Sequence, residues 1–169
     1  MTEQPPRLMI VDACVLIDFF KTDRSVLSLV SSYVGPTYVV STVLEEVKNI
    51  NTEEDLAALG LIVIVPELED LFEAEKGDGP TSRQDRLCFL TAKRHGYTCV
   101  TNDKNLRRLC SDEGVDVCWG LQLIAKLHAA GGLTARVAKA IAMDIHRRNT
   151  KHITMEIVDR FNDMIDSQR

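Results

Sequence analysis

"IVDACVLIDFF", residues 10–20, places one carboxylate between two apolar runs. The first run, preceded by Leu8 and Met9, predicts a short buried strand, and the second predicts a helix over 13–20. Burying an unpaired carboxylate costs free energy, so Asp12 needs a helix N-terminus, a cation or solvent beside it. This unit therefore predicts an α/β fold that begins with a strand and carries a polar position at that strand's end.

Short β-rich runs alternate with helical patterns along the next hundred residues. Strands are predicted over 8–11, 37–41, 61–65, 98–101 and 115–118, and helices over 13–20, 25–33, 42–50, 53–59, 67–75, 83–95 and 104–112. The alternation predicts a mainly parallel sheet with helices on both faces. The continuous apolar run LIVIV over 61–65 favours a strand buried on both faces.

From residue 120 onward every pattern is helical. Gly131 and Gly132 end the first of these helices, and Thr154 is a plausible N-cap of the last. Leu133, Val137, Ile141 and Ile145 form an apolar stripe between them. We expect a single domain overall, with a core over 1–119 and a helical extension over 120–169. The apolar stripes of this helical extension could pack on the core, form a dimer interface or bind a partner.

Composition is that of an ordinary globular chain. The 169 residues are 45% hydrophobic and 27% charged, with a net charge of −5. No apolar stretch is long enough for a membrane span, and the N-terminus MTEQPPR does not resemble a signal peptide. Five cysteines without a CxxC pair favour reduced thiols, so we expect a cytoplasmic protein without a membrane partner.

Four acidic residues are placed at the ends of predicted elements. Asp12 follows the first strand and Asp103 the fourth, while Glu46 and Asp85 lie early in predicted helices that can open onto the same edge. Ligands of parallel sheets gather beyond the carboxyl ends of the strands. Each acid also has a purely structural interpretation: Asp12 and Asp103 as N-caps, Asp85 in a capping box with Ser82, and Glu46 as an exposed helical residue.

Taken together, four like charges at one edge would repel each other, and at least one would tend to protonate. Mg²⁺ or Mn²⁺ removes that repulsion, since both prefer hard oxygen ligands and bind phosphate oxygens. Such ions can promote phosphodiester cleavage. The pattern therefore predicts a metal site formed by Asp12, Glu46, Asp85 and Asp103.

The chain resembles the PIN-domain family of Mg²⁺-dependent ribonucleases, especially VapC-like toxins and their prokaryotic relatives. The resemblance covers roughly residues 7–119 and is carried by LMIVDACVLIDFF, VVSTVLEEVKN, SRQDRLCFLTAKRHGYTCVTNDKNL and VDVCW. It implies a three-layer α/β/α sandwich with Asp12, Glu46, Asp85 and Asp103 as metal-binding acids. Thr101 matches a polar residue that would hydrogen-bond the site or the scissile phosphate.

The resemblance also implies hydrolysis of single-stranded RNA to 5′-phosphate and 3′-hydroxyl ends, a homodimer, and in toxin–antitoxin pairs a small antitoxin protein. The extension after residue 120 is longer than the minimal domain of that family. The alternative is a non-catalytic PIN-like module that binds RNA or a protein. A phosphatase of the haloacid dehalogenase type would need a second Asp at position 14, where this chain has Cys14.

Overall fold

The sheet has five parallel strands. They are β1 (Met9–Val11), β2 (Thr37–Val40), β3 (Leu61–Ile64), β4 (Thr98–Val100) and β5 (Val117–Cys118) in the computed structural model, which describes residues 8–48, 50, 52–77 and 79–168. Their order is β3-β2-β1-β4-β5, and every neighbouring pair is parallel. The predicted α/β class is confirmed, and each predicted strand is present within two residues of its predicted ends.

Helices connect all of these strands and continue after the last one. The described part of the chain contains α1 (Ala13–Thr22), α2 (Ser25–Tyr33), α3 (Glu53–Leu59), α4 (Leu68–Glu75), α5 (Arg83–His95), α6 (Lys104–Asp112), α7 (Gly120–Ala129), α8 (Ala135–Arg148) and α9 (Met155–Ser167). Six of the seven helices predicted before residue 119 are confirmed. The three helices after it were also predicted, and Thr154 is the N-cap of α9.

The helices form a layer on each face of the sheet. Chain connections from β1 to β3 run in one direction across the sheet, and the connection from β3 to β4 runs back. Right-handed crossovers therefore place α1–α3 on one face and α4–α6 on the other. Helices α7 and α8 contact α2 and α1, respectively, so the C-terminal helices add to the first layer. The result is a three-layer α/β/α sandwich.

The prediction of a helix over 42–50 is wrong. A short 3₁₀ helix, Ser41–Glu45, follows β2 instead, and residue 49 lies outside the described residues. The hydrogen bonds span three residues, from the Glu46 N–H to the Val43 carbonyl and from the Val47 N–H to the Leu44 carbonyl. The tighter turns bury Val43 and Val47 directly beyond the strand.

The prediction that 61–65 is buried on both faces is also wrong. Strand β3 is the edge of the sheet, and Ile62 and Val63 are 45% and 37% exposed. Val65, just past the strand, is 73% exposed, and Leu68 and Phe72 on α4 are exposed as well. We call these five residues the β3–α4 apolar surface.

The stripe predicted on α8 is displaced by about one residue. Val137 is 41% exposed, whereas Ala138, Ile141, Ala142 and Ile145 are buried. The two alanines have small side chains, which lets α8 pack closely on its neighbours α1 and α9.

Two further sequence-based expectations concern location. Among the described residues no helix is long and apolar enough to cross a membrane. The N-terminal stretch 1–7, on which the signal-peptide prediction rests, lies outside the described residues.

Candidate functional site

The order of the strands changes direction at β1 and β4: β2 and β3 lie on one side of β1, and β4 and β5 lie on the other. Asp12 follows β1, and the turn Thr101–Asp103 follows β4, its hydrogen-bonded neighbour. In open parallel sheets the crevice at such a switch point is the usual ligand site. The strand order therefore places two of the predicted acids on either side of that crevice.

Asp12 is almost completely buried, with 3% of its surface exposed. Its Oδ1 accepts a hydrogen bond from the Ala13 N–H at 2.7 Å, which confirms the predicted helix cap. Its Oδ2 accepts from the Thr101 hydroxyl at 2.9 Å and from the Cys14 thiol at 3.1 Å. Burial, followed by the negative charge of Asp85, raises the pKa of Asp12 from 3.8 to about 6.

Asp85 lies at the start of α5 in the capping box predicted with Ser82. Its backbone N–H donates to the Ser82 hydroxyl at 3.1 Å, and its Oδ2 accepts from the Ser82 N–H at 3.2 Å. Burial raises the pKa of Asp85, and the charge of Asp103 raises it further, whereas the hydrogen bonds from Ser82 and the charge of Arg86 lower it. Asp85 is therefore electrostatically coupled to acids on both sides of the crevice.

Asp103 is the N-cap of α6, as predicted. Its Oδ1 accepts from the Leu106 N–H at 2.8 Å, and its own N–H donates to the Thr101 Oγ1 at 3.0 Å. The buried Thr101 hydroxyl thus donates to Asp12 and accepts from Asp103 at the same time. This residue fixes the two acids relative to each other across the β1–β4 crevice.

Glu46 lies directly after the 3₁₀ helix that follows β2, and its side chain is exposed. Partial burial of its carboxyl group raises its pKa, and Asp85 adds to that increase. Glu46 is therefore within the electric field of Asp85, although it projects more toward solvent than the other three acids.

The donor chemistry fits a hard divalent cation. Asp85 raises the pKa of Asp12 and of Glu46, and Asp103 raises the pKa of Asp85. All four carboxylates therefore lie in one negative region. Such a region favours a bound positive charge. Within the described ranges, however, no three His, Cys, Asp or Glu side chains stand close enough together to hold one metal ion.

Three residues that the sequence analysis did not assign to the site form a buried polar junction behind it. The Asp18 carboxylate accepts from the Asn102 amide at 3.1 Å and from the Asn149 amide at 3.2 Å. The Asn102 Oδ1 accepts from the Gly120 N–H at 2.9 Å. These contacts tie the turn between Thr101 and Asp103 to α1, α7 and the end of α8. The only sequence signal was a carboxylate, Asp18, inside an apolar helix.

No family model matches this chain, and no curated protein matches it.

Proposed function

We propose that this protein is a Mg²⁺- or Mn²⁺-dependent endoribonuclease that hydrolyses phosphodiester bonds of single-stranded RNA. The observation that carries the proposal is the position of Asp12 and Asp103 on either side of the switch point of the sheet, where the Thr101 hydroxyl links them, with Asp85 and Glu46 in the same negative region. Without a counter-charge, Asp85 raises the pKa of Asp12 and of Glu46, and Asp103 raises the pKa of Asp85. A polyanionic substrate would approach such a region only together with cations.

The chain's own residues have distinct parts in this mechanism. A divalent cation, when bound, supplies the positive charge that attracts the phosphate and favours charge development on its oxygens. Asp12, Asp85 and Asp103 would hold it and Glu46 would assist, which requires these carboxylates to approach one another from the arrangement that the described residues show. Thr101 positions the Asp12 carboxylate through its 2.9 Å hydrogen bond. The cap hydrogen bonds fix one oxygen of Asp85 and one of Asp103, which leaves Oδ1 of Asp85 and Oδ2 of Asp103 as candidate ligand atoms. Asp12 accepts hydrogen bonds on both of its oxygens, so a cation would have to displace the Thr101 or Cys14 contact.

The proposed reaction is tested with end-labelled single-stranded RNA and the full chain in MgCl₂. We expect cleavage with 5′-phosphate products, since water attacks the phosphorus and the bond to the 3′-oxygen breaks, leaving a 3′-hydroxyl; a contaminating nuclease that uses the ribose 2′-hydroxyl leaves 5′-hydroxyl ends. Asp12→Asn should abolish cleavage, and Glu46→Gln should reduce it. Glu45→Gln is the matched control, because Glu45 is an exposed neighbour of the same charge. Unchanged cleavage by Asp12→Asn would refute the proposal.

A non-catalytic PIN-like module that binds RNA or protein is the second candidate. It is favoured by the finding that no three of the described acidic, His or Cys side chains are arranged around one ion position. The two candidates differ in cation binding. Titration with Mn²⁺ followed by calorimetry or electron paramagnetic resonance should show a site that Asp12→Asn removes; a protein that binds no Mn²⁺ would favour the second candidate.

The proposed protein partners are a second copy of the chain and, if the chain is a toxin, an antitoxin. The β3–α4 apolar surface is the part of the described structure best suited to a second copy, because five exposed apolar residues adjoin the open edge of the sheet there. An RNA substrate would place the activity in the cytoplasm. Growth arrest on expression, relieved by Asp12→Asn, would support the toxin role.

A further inference from the structure

The only tryptophan of the sequence lies at the same edge of the sheet as the acids. Trp119 follows β5 directly, and β5 pairs with β4, the strand that leads into the Thr101–Asp103 turn. The Gly120 N–H donates to the Asn102 side chain, which fastens the Trp119 backbone beside that turn. Neighbouring strands are separated by about 4.8 Å, so the backbone of Trp119 lies about one strand spacing from the end of β4.

Arg107 covers the ring of this tryptophan. It lies one helical turn after Asp103 on α6, and its guanidinium carbon is 3.6 Å from the centre of the Trp119 ring. Within the described residues its Nε is buried and has no hydrogen-bond acceptor. Burial also lowers the pKa of Arg107, and the charge of Asp103 opposes this effect. A buried guanidinium donor without an acceptor is suited to a phosphate oxygen, which supplies both an acceptor and a negative charge.

Trp119 also borders a cleft of about 240 Å³ between α7 and α9. Its walls include Phe161, Met164 and Arg160, whose guanidinium is 2.8 Å from Glu156 at the protein surface. Aromatic and apolar walls with arginines at the margin are the features that hold bases of single-stranded nucleic acids. Trp119 lines this cleft and also follows β5 at the edge of the sheet that carries Asp12 and Asp103, so it is common to both places.

We propose that Trp119 and Arg107 form a nucleotide-binding subsite for single-stranded RNA beside the carboxylates. The indole face that Arg107 does not cover stacks on a base, and the Arg107 guanidinium binds the adjoining phosphate. This inference rests on the proposed nuclease function and deepens it, because it assigns how the strand is positioned. It requires unpaired bases, which a double helix does not present.

The tryptophan itself reports on the subsite. The full chain is titrated with a single-stranded RNA decamer in CaCl₂, which supplies a divalent cation for the carboxylates. Gel electrophoresis checks that the decamer stays intact, so that binding is measured without cleavage. We expect quenching of tryptophan fluorescence by the single strand and little quenching by a duplex of the same sequence. With a fluorescently labelled decamer, Trp119→Leu should weaken binding about 5- to 150-fold, the range observed for the loss of one base–aromatic stack.

Matched variants distinguish specific binding at this subsite from nonspecific electrostatic attraction and from loss of the folded structure. Arg107→Gln should weaken binding more than Arg108→Gln, which removes the same charge from the exposed neighbour on α6. Trp119→Phe keeps a stacking ring and should retain more affinity than Trp119→Leu, which tests stacking even if the leucine variant is unstable. Absence of quenching, equal binding by parent and Trp119 variants, or equal losses at Arg107 and Arg108 would each overturn the subsite.

The subsite and the nuclease function can fail separately. Cleavage in MgCl₂ with unaltered binding by the Trp119 and Arg107 variants would refute the subsite and leave the nuclease proposal intact. Specific binding with quenching in a protein that never cleaves would support the subsite and favour the non-catalytic module.

Discussion

Replacing the buried carboxylate by its neutral isostere should stabilise this protein. Asp12 has a pKa of about 6 in the folded chain, against 3.8 in its ordinary state. At 1.36 kcal/mol per pKa unit, the ionised Asp12 costs about 3 kcal/mol of folding free energy above pH 6. Asn at this position keeps an oxygen for the Ala13 N–H, and reorganising the contacts to Thr101 and Cys14 offsets about 1 kcal/mol. We therefore expect Asp12→Asn to be more stable by about 2 kcal/mol at pH 8.

The stability difference between Asp12→Asn and the parent should depend on pH. Because the folded pKa lies above the unfolded one, the penalty is absent below pH 3.8, grows between pH 3.8 and 6, and is complete above pH 6. The melting temperature of Asp12→Asn should exceed that of the parent by about 4–8 °C at pH 8. This difference should shrink toward zero near pH 4.

Thermal denaturation followed by circular dichroism, in EDTA from pH 4 to pH 8, measures both quantities. Glu45→Gln, which removes an exposed charge near the same edge, is the control and should show no such trend. The conclusion that ionised Asp12 destabilises the fold would be refuted by a variant no more stable than the parent at pH 8, or by a stability difference that does not vary with pH.

Asn102→Ala should lower the free energy of unfolding by about 2–4 kcal/mol in urea titrations, because the Gly120 N–H and the Asp18 carboxylate lose a buried partner. An unchanged midpoint would contradict this role. Millimolar MgCl₂ should raise the melting temperature of the parent but not of Asp12→Asn, since a ligand of the folded state stabilises it; equal shifts would place the cation elsewhere. Phe72→Glu should convert a dimer into a monomer in light scattering, because that exposed ring belongs to the β3–α4 apolar surface. A dimer that persists would exclude the surface.

The elements and caps of this fold could be predicted because they depend on neighbouring residues. Asp12, Asp85 and Asp103 each cap a helix through donors no more than three residues away. The same local rules failed over 42–50, where burial of Val43 and Val47 against the sheet favours a tighter helix than the apolar spacing indicates.

Strand order is not encoded in local pattern, and two errors follow from this. The run LIVIV over 61–65 has the composition of a central strand, yet it forms the sheet edge. The partners of Asn102 lie 84 and 18 residues away in sequence, so its part in the polar junction could not be predicted. That acids at strand ends meet at one edge follows from parallel topology, but their separations depend on side-chain rotamers.

The polar junction also has a consequence for how the protein is made. Asn149 reaches the Asp18 carboxylate across 131 residues of sequence. While the chain is being translated, the strands and all four acids emerge from the ribosome before this last anchor does. Asp18 and Gly120 can already hold the loop next to Asp103, but the second amide donor to the Asp18 carboxylate is added only after residue 149 has been synthesised. The junction behind the candidate site is therefore completed after all four acids have left the ribosome, whatever the order in which the rest of the fold forms.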